Sequence, residues 1–556
     1  MNDLKTMKHP DIRRHALSAA ALVLCAGTWL SANAFEIDTG NDDLQVRWDN
    51  TVRYNLGRRV QSQDPVILKN INADDGDRNF GNNSIVNNRV DLLSEFDVVY
   101  QKKFGARVSG AGWYDNAYSG SLDNTSVATS NHLVNGQPAL GLSNYTKRYY
   151  EGPSGELLDA FAFGSTDLGT MPLSFRAGRH TVNWGEALLG GGAIHGITYG
   201  QSPLDLAKSF ASPGIDAKEL YRPLNQISST LQATSELSFA AQYFLQWDAS
   251  RLPETGSYLG FNDALQFGGQ SLLLAPGVRA LRGPDLTPKN SGDWGVMSHW
   301  SPQWLDGTMG VYVRNFSDKL PQIVVKATGP RQYFETYGDD VDMYGVSLSK
   351  QLWGVSFGAD LNYRRNMPLN SDVVQITSLA QLPAAGDLLG ARGDTVHGVL
   401  NAIGSVPSTP LFNSASWSGE LTWNRWTSVT QGAQYFKGRD SYTAIDKVSK
   451  DYFGLALNFA PTWYQVFPGA DLSMPLSYSV GLSGNSAVAS GGNKNAGSFA
   501  VGLGLDLYSK YRFDLKYIGY FGDYTLNTAG AIAVANGSQT YLRDRGAIFL
   551  TFKTTL

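Results

Sequence analysis

Apolar and polar side chains alternate along most of this chain with a period of two, and that restricts its fold more than any other feature. Leu44, Val46, Trp48, Val52 and Tyr54 alternate with Gln45, Arg47, Asp49, Thr51 and Arg53. Val90, Leu92, Phe96, Val98 and Tyr100 alternate with Arg89, Asp91, Glu95, Asp97 and Gln101. Val355, Phe357, Ala359, Leu361 and Tyr363 face away from Ser356, Asp360, Asn362 and Arg364. Val501, Leu503 and Leu505 form a further stripe, with Phe513, Leu515 and Tyr517 beyond a short turn at Tyr508-Ser509-Lys510. Alternation sustained in this way belongs to strands with one apolar and one polar face. The stripes exceed the roughly 5–6 residues of an ordinary globular strand. They match the roughly 9–11 residues that a tilted strand needs to cross a bilayer.

The connections are asymmetric. Lys102–Gly105 and Thr234–Glu236 are very short, whereas 57–87 and 119–155 are long. Short turns at one end and long loops at the other are the pattern of bacterial outer-membrane barrels. Trp48, Tyr54, Tyr100, Trp113, Tyr114, Trp247, Trp300, Trp423 and Trp426 stand at strand ends, as interfacial aromatic girdles do. The pattern predicts strands near 44–56, 88–101, 105–117, 157–165, 173–183, 227–234, 237–248, 292–301 and 307–317. It continues with 342–350, 353–365, 415–424, 427–438, 451–460, 474–484, 498–507, 511–522 and 540–553. The fold class is therefore all-β, a transmembrane antiparallel β-barrel of about 18 strands, with roughly 14–18 compatible with the pattern.

Residues 1–34 read as a cleaved secretory signal. Lys5, Lys8, Arg13 and Arg14 precede the apolar stretch Ala16–Leu30, and Ala32-Asn33-Ala34 is a small-x-small cleavage site. Residues 35–556 then form the barrel. The single cysteine, Cys25, lies in the leader, so the mature chain carries no thiol, as suits an oxidising compartment. The 45 Lys+Arg against 49 Asp+Glu leave a net charge of −4, which excludes a basic nucleic-acid binder. No long apolar run follows the leader, which excludes a helical membrane protein.

Two regions break the alternation. Residues 184–226 hold Gly190-Gly191-Gly192, Pro203, Pro213 and Pro223. Residues 378–404 show a weak helical spacing of leucine and valine. Irregular backbone is tolerated at membrane depth only inside a lumen, and otherwise lies outside the membrane.

The chain resembles the Gram-negative outer-membrane family known as domain of unknown function 1302. The resemblance rests on Phe35-Glu36-Ile37, Trp48-Asp49-Asn50-Thr51, Asp74-Asp75-Gly76-Asp77, Asn79-Phe80, Arg176-Ala177-Gly178-Arg179 and Val182-Asn183-Trp184-Gly185-Glu186. It extends through Pro203-Leu204-Asp205, Pro213-Gly214, Phe316–Pro321, Tyr363–Leu369, Pro461-Thr462-Trp463, Pro468–Leu472 and Gly484-Asn485-Ser486. His180 departs from it, standing where a Gln is expected. The resemblance implies an outer-membrane barrel and a lean toward envelope transport of hydrophobic compounds.

The candidate lumen-facing residues are Arg89, Asp91, Glu95, Asp97, Arg107, Arg176, Arg179, Arg314, Asp360, Arg364, Glu420, Asp506 and Asp514. Both signs are present. They describe either a selective pore or a set of neutralising ion pairs, and the mixture favours the pairs. Trp184, Glu186, Pro203, Asp205 and Pro213 mark a candidate plug, with an ordinary outer loop as the alternative. Leu188-Leu189, Leu272-Leu273-Leu274 and Leu388-Leu389 lie outside the alternation and suggest a greasy docking site. Asp74, Asp75 and Asp77 lack the spacing and terminal Glu of a calcium loop and read as a solvated turn, so no metal is expected. His299 near Ser301 is the one weak hint of a nucleophile with a base, and no catalytic residue is assigned.

The function expected is energy-independent passage of small molecules, with a lean toward apolar ones. The alternatives are a structural or partner-binding barrel with a sealed lumen and, last, an outer-membrane hydrolase. The expected partners are outer-membrane lipids, the barrel-assembly machinery and a small-molecule substrate; no cofactor and no nucleic acid are expected.

Overall fold

The computed structural model describes residues 35–215 and 217–556. The leader, its cleavage site and Cys25 lie outside the described residues. The main sheet is an antiparallel meander. Its strands are β1 (Leu44–Arg59), β2 (Ile85–Tyr100), β3 (Phe104–Asp115), β4 (Ser154–Leu168), β5 (Met171–His180), β6 (Leu224–Gln232), β7 (Leu237–Phe244), β8 (Trp294–Trp300) and β9 (Gly307–Phe316). They continue as β10 (Val341–Leu352), β11 (Val355–Pro368), β12 (Arg392–Val406), β13 (Ser414–Gln431), β14 (Asp451–Phe467), β15 (Ala470–Ser473 and Leu476–Ser483, interrupted at Pro475), β16 (Gly497–Leu507), β17 (Tyr511–Phe521) and β18 (Ala547–Thr555). Each pairs with the next. β18 then returns to β1, from Thr51 opposite Thr555 to Arg59 opposite Ala547, closing an 18-stranded barrel without a free edge.

The expected strand count holds through two compensating errors. β12 falls in the region expected to be irregular. The segments expected separately at 415–424 and 427–438 are mostly one strand, β13, and residues beyond Gln431 leave the sheet.

Leu92, Val108, Val311, Leu400, Leu421, Leu503 and Leu550 are exposed on the outer surface. A contiguous apolar belt of this extent belongs against lipid. Trp48, Tyr100, Phe104 and Trp300 rim it at the short-turn end, and Tyr114, Tyr243, Trp294 and Tyr344 rim it at the long-loop end. Trp113 and Trp247, expected in these girdles, are buried instead. Trp113 points inward onto Tyr149, and Trp247 packs on Tyr337 in the loops.

The long loops pack over the barrel mouth. Strands from three of them, Ser271–Ala275, Val278–Arg282, Gln322–Lys326, Gln332–Thr336 and Val374–Ile376, form a five-stranded sheet. Ala264, Ala280, Val325 and Tyr333 make one core beneath it, and Val324, Val374 and Ile376 another. Asp74, Asp75 and Asp77 are buried, not solvated. They begin the short helix Asp75–Asn79, and the Arg59 guanidinium donates to Asp77 at 2.6 Å. The expected turn is buried because two neighbouring loops cover it.

Candidate functional site

Residues 181–223 join β5 to β6 at the long-loop end and turn into the barrel. Their contacts with the wall come in two groups. The first group holds residues 185–199 against β9–β13. Three N–H groups at the start of the short helix Gly190–His195, those of Leu188, Leu189 and Gly192, donate to the Glu420 carboxylate at 2.7–3.0 Å. Asp360 accepts from the N–H groups of Glu186 and Ile197 at 2.9 and 3.0 Å. The carbonyls are met by cations and amides. Arg314 donates to Ile197 O and Tyr199 O, Arg364 to Ile194 O and Gly196 O, and Asn362 to His195 O. Arg364 also lies 4.5 Å from the centre of the Tyr199 ring. The strands thus supply the hydrogen bonds that an irregular buried backbone requires.

Facing this group, His195 Nδ1 lies 2.9 Å from His397 Nδ1 on β12. His195 Nε2 faces Gly491 O and His397 Nε2 faces the Thr395 hydroxyl. One arrangement satisfies all three contacts: His195 donates to Gly491, His397 donates to His195, and Thr395 donates to His397, with both rings neutral. Tyr199 donates to Asp318 at 2.5 Å; burial pushes the Asp318 carboxyl above its usual range, against the pull of that hydroxyl and of the Lys319 and Leu320 N–H groups.

The second group holds residues 205–219 against β1–β4, chiefly through side chains. Arg53 pairs with Glu219 at 3.0 Å and donates to Ser212 at 2.9 Å. Ser212 in turn donates to Asp91, and Asn87 donates to Ala211 O. Lys208 reaches Glu156 at 3.0 Å, and Lys218 pairs with Glu95. Asp205 accepts from Lys208 N, Tyr149 Oη and Arg251. In a ring of eighteen strands β2 lies opposite β11, so one segment is tied to opposite walls and crosses the lumen between them.

The structure places each expected site residue. Arg314, Asp360, Arg364, Glu420, Asp91 and Glu95 contact the crossing segment directly. Arg89 pairs with Asp91 and stacks on Trp113, the ring centre 5.1 Å away. Asp97 and Arg107 pair with each other, as do Asp514 and Arg512, toward the short-turn end. Asp506 lies beside Arg512 in register. Arg176 faces inward over Phe161. Arg179 is not on that face: three residues from Arg176 in an extended strand, it sits on the opposite side and donates to Leu158 O and Gln246. Trp184 is buried beside Tyr312, and Glu186 donates its N–H to Asp360 and its carbonyl accepts from Asn401. Pro203 and Pro213 are buried in the segment itself.

Arg53 stood on the polar face of β1 and was legible by parity. Glu156, Lys208, Lys218 and Glu219 carried no local signal, because their partners are far away in sequence. The three leucine runs do not form one site. Leu273 and Leu388 are buried in the loop packing, whereas Leu188 faces a cavity. That cavity, of about 400 Å³, lies between Leu188 and the inner wall of β12–β17. Ile403, Ser416, Ser418, Asn458, Ala460, Pro475, Ala500 and Lys516 line it. Small side chains there hollow the wall. His299 does not meet Ser301: its Nε2 contacts the Tyr312 hydroxyl at 2.8 Å, and Ser301 bonds Thr308.

A family model described as "Protein of unknown function (DUF1302)" matches residues 15–556. No curated protein matches the sequence. Among solved structures, the chain is similar to Pseudomonas aeruginosa OpdK crystallised with vanillate, at 10% identity and a TM-score of 0.41, covering 92% of this chain and 98% of that one. It is also similar to a BenF-like porin from Pseudomonas fluorescens Pf-5, at 9% identity and a TM-score of 0.42, covering 93% and 99%. A third is Acinetobacter baumannii OccAB2, at 10% identity and a TM-score of 0.41, covering 92% and 98%.

Proposed function

The chain belongs to the DUF1302 family, and from that premise we propose that it is a passive channel of a Gram-negative outer membrane for small molecules, apolar ones favoured. In this reading the exposed apolar belt sits in outer-membrane lipid after insertion by the barrel-assembly machinery. The long loops face outward, and solutes move down their own gradient. The observation that carries the reading is the crossing segment. A barrel needs no such strut to close, because its strands already pair all round. A segment held across the lumen by both its main chain and its side chains sets the width of whatever passes. The largely apolar cavity beneath Leu188 is a resting place for an apolar molecule that has passed it.

A second reading, a structural barrel with a sealed lumen, is favoured by one observation: residues 192–203 of the segment are all buried. One experiment separates the two. Deleting 190–222 leaves Arg314, Arg364, Asp360 and Glu420 facing open water, where they can be solvated. Single-channel conductance in planar bilayers is expected to be measurable for the full chain and several-fold larger for the deletion. Conductance in the deletion alone would select the sealed barrel, and equal conductance in both would refute a segment that limits passage.

A further inference from the structure

We propose that Asp74, Asp75 and Asp263 form a calcium-binding site that staples the loops over the barrel mouth. Asp74 and Asp75 come from the β1–β2 loop, and Asp263 comes from the β7–β8 loop. All three are buried, and one oxygen from each lies within 4.8 Å of the others.

The acids alone do not make the argument; the unmet acceptors around them do. Asp263 Oδ1 and Asp74 Oδ1 are buried without a hydrogen-bond donor. Asp263 is turned toward the pair, since its Oδ2 accepts the Asp75 N–H at 3.1 Å. Asn131, from the β3–β4 loop, is wholly buried and fixed by its own N–H to Asp75 Oδ2 at 2.8 Å; its Oδ1 also has no donor. Buried acceptors without donors are rare, because each forfeits its water. A cation satisfies several at once.

The same loops show what the fold does when an arginine serves instead. Asp77 and Asp544 both pair with Arg59, at 2.6 and 3.2 Å. Arg78 pairs with Asp74 through Oδ2, the oxygen other than the unmet one. Neither Asp75 nor Asp263 has an ion pair among the described residues. The donor set is hard oxygen throughout, which selects calcium or magnesium over softer metals. Calcium at roughly 2.3–2.6 Å from each ligand spans oxygens up to about 5 Å apart, whereas magnesium at about 2.0–2.1 Å spans only about 4 Å. The three oxygens lie within 4.8 Å of one another, inside the calcium span, and a buried site of protein oxygens suits calcium because magnesium gives up its waters reluctantly. The spacing test applied to the sequence could not find this site, because its third carboxylate is remote in the chain.

The test uses the full-length mature barrel, purified in detergent and stripped with EGTA, titrated calorimetrically with CaCl2 and separately with MgCl2. One Ca²⁺ per chain is expected, bound at least tenfold more tightly than Mg²⁺. Bound calcium should slow proteolysis of the β1–β2 and β7–β8 loops. Asp263→Asn should weaken calcium binding at least tenfold while Asp42→Asn, at an exposed acid, leaves it unchanged. Retained heat-modifiable gel mobility checks that each variant is folded. If Asp263→Asn does not fold, Asn131→Ala replaces it, with weakened binding again expected. The proposal is overturned if the wild-type chain takes up no Ca²⁺ at millimolar concentration, or if the folded variants bind as the wild type does.

Discussion

At the scale of single residues, parity decides whether a side chain meets lipid or lumen. Val501 and Leu503 are exposed on the outer belt, while Gly502 between them is buried on the inner face, opposite Lys516. Leu503→Arg therefore puts a charge into hydrocarbon and is expected to cost about 2–4 kcal/mol near the bilayer centre. Gly502→Ser is expected to cost less, since it brings no charge to lipid and its Cβ meets Pro475 and Lys516 at ordinary distances, with Leu515 O, at 3.1 Å, the one tight contact. Urea unfolding of both variants in vesicles, followed by heat-modifiable mobility, measures the difference; similar losses would put Leu503 on the wrong side of the wall. The same parity rule shows how far single positions were legible. It places Arg314, Asp360, Arg364 and Glu420 inward from sequence alone. Applied to Arg176 and Arg179 together it forbids a shared face, and the structure separates them. What parity cannot show is the partner, because an inward Glu420 could as well have faced water as the three N–H groups it holds.

At the scale of elements, what hid β12 was its environment. Val399 and Ile403 face the lumen while Leu400 faces lipid, so apolar residues occupy both faces and mimic a helical spacing. Inward apolar residues are allowed there because Val399 is buried and Ile403 meets the cavity beneath Leu188. β13 misled in the opposite way: the alternation breaks at Arg425-Trp426, between the segments expected at 415–424 and 427–438, yet the strand continues through them to Gln431. The loops were legible only in their length, since their packing depends on remote contacts. Glu254, in the β7–β8 loop, illustrates this. Its carboxylate is buried, with Gly268 N donating to Oε2 at 2.7 Å and Oε1 unmet. Burial, reinforced by the nearby Glu335 charge, pushes its pKa up to about 8 from an ordinary 4.5. Between those values the folded chain holds a proton that the unfolded chain has released. Stability from this group is thus present below about pH 4.5, lost as pH rises from there to about 8 by up to about 1.4 kcal/mol per pH unit, and level above that. Glu254→Gln should remove that slope, leaving the variant relatively more stable at pH 9 than at pH 5. Urea midpoints at pH 5, 7 and 9 test it, and parallel profiles for the two proteins would refute a buried, proton-holding Glu254.

At the scale of the whole molecule, the wall is a regular barrel, and in the channel reading proposed above selectivity would rest on the segment that crosses it and the cavity below. The lumen charges are of both signs and mostly engaged, so a filter of one sign is not what they build. Lys516 is one exception. It lines the cavity with neither a hydrogen bond nor an ion pair among the described residues, beside apolar Leu188, Ile403, Ala460, Pro475 and Ala500. An apolar body would gain about 25 cal/mol for each Å² buried against those side chains. An acidic group on such a molecule would gain about 1 kcal/mol more from Lys516 in a partly wet site, roughly a fivefold preference. Gradient-driven uptake into liposomes holding the purified barrel should therefore be fastest for a small aromatic or fatty acid, slower for the matching alcohol, and slowest for a sugar of similar size. Lys516→Met should bring the acid down to the rate of the alcohol and leave the alcohol and the sugar unaffected, because the methionine keeps the apolar bulk while removing the charge. A sugar that passes as readily as the acid would mean a general porin. An acid whose advantage survives Lys516→Met would move the selective step away from this cavity and up to the crossing segment itself.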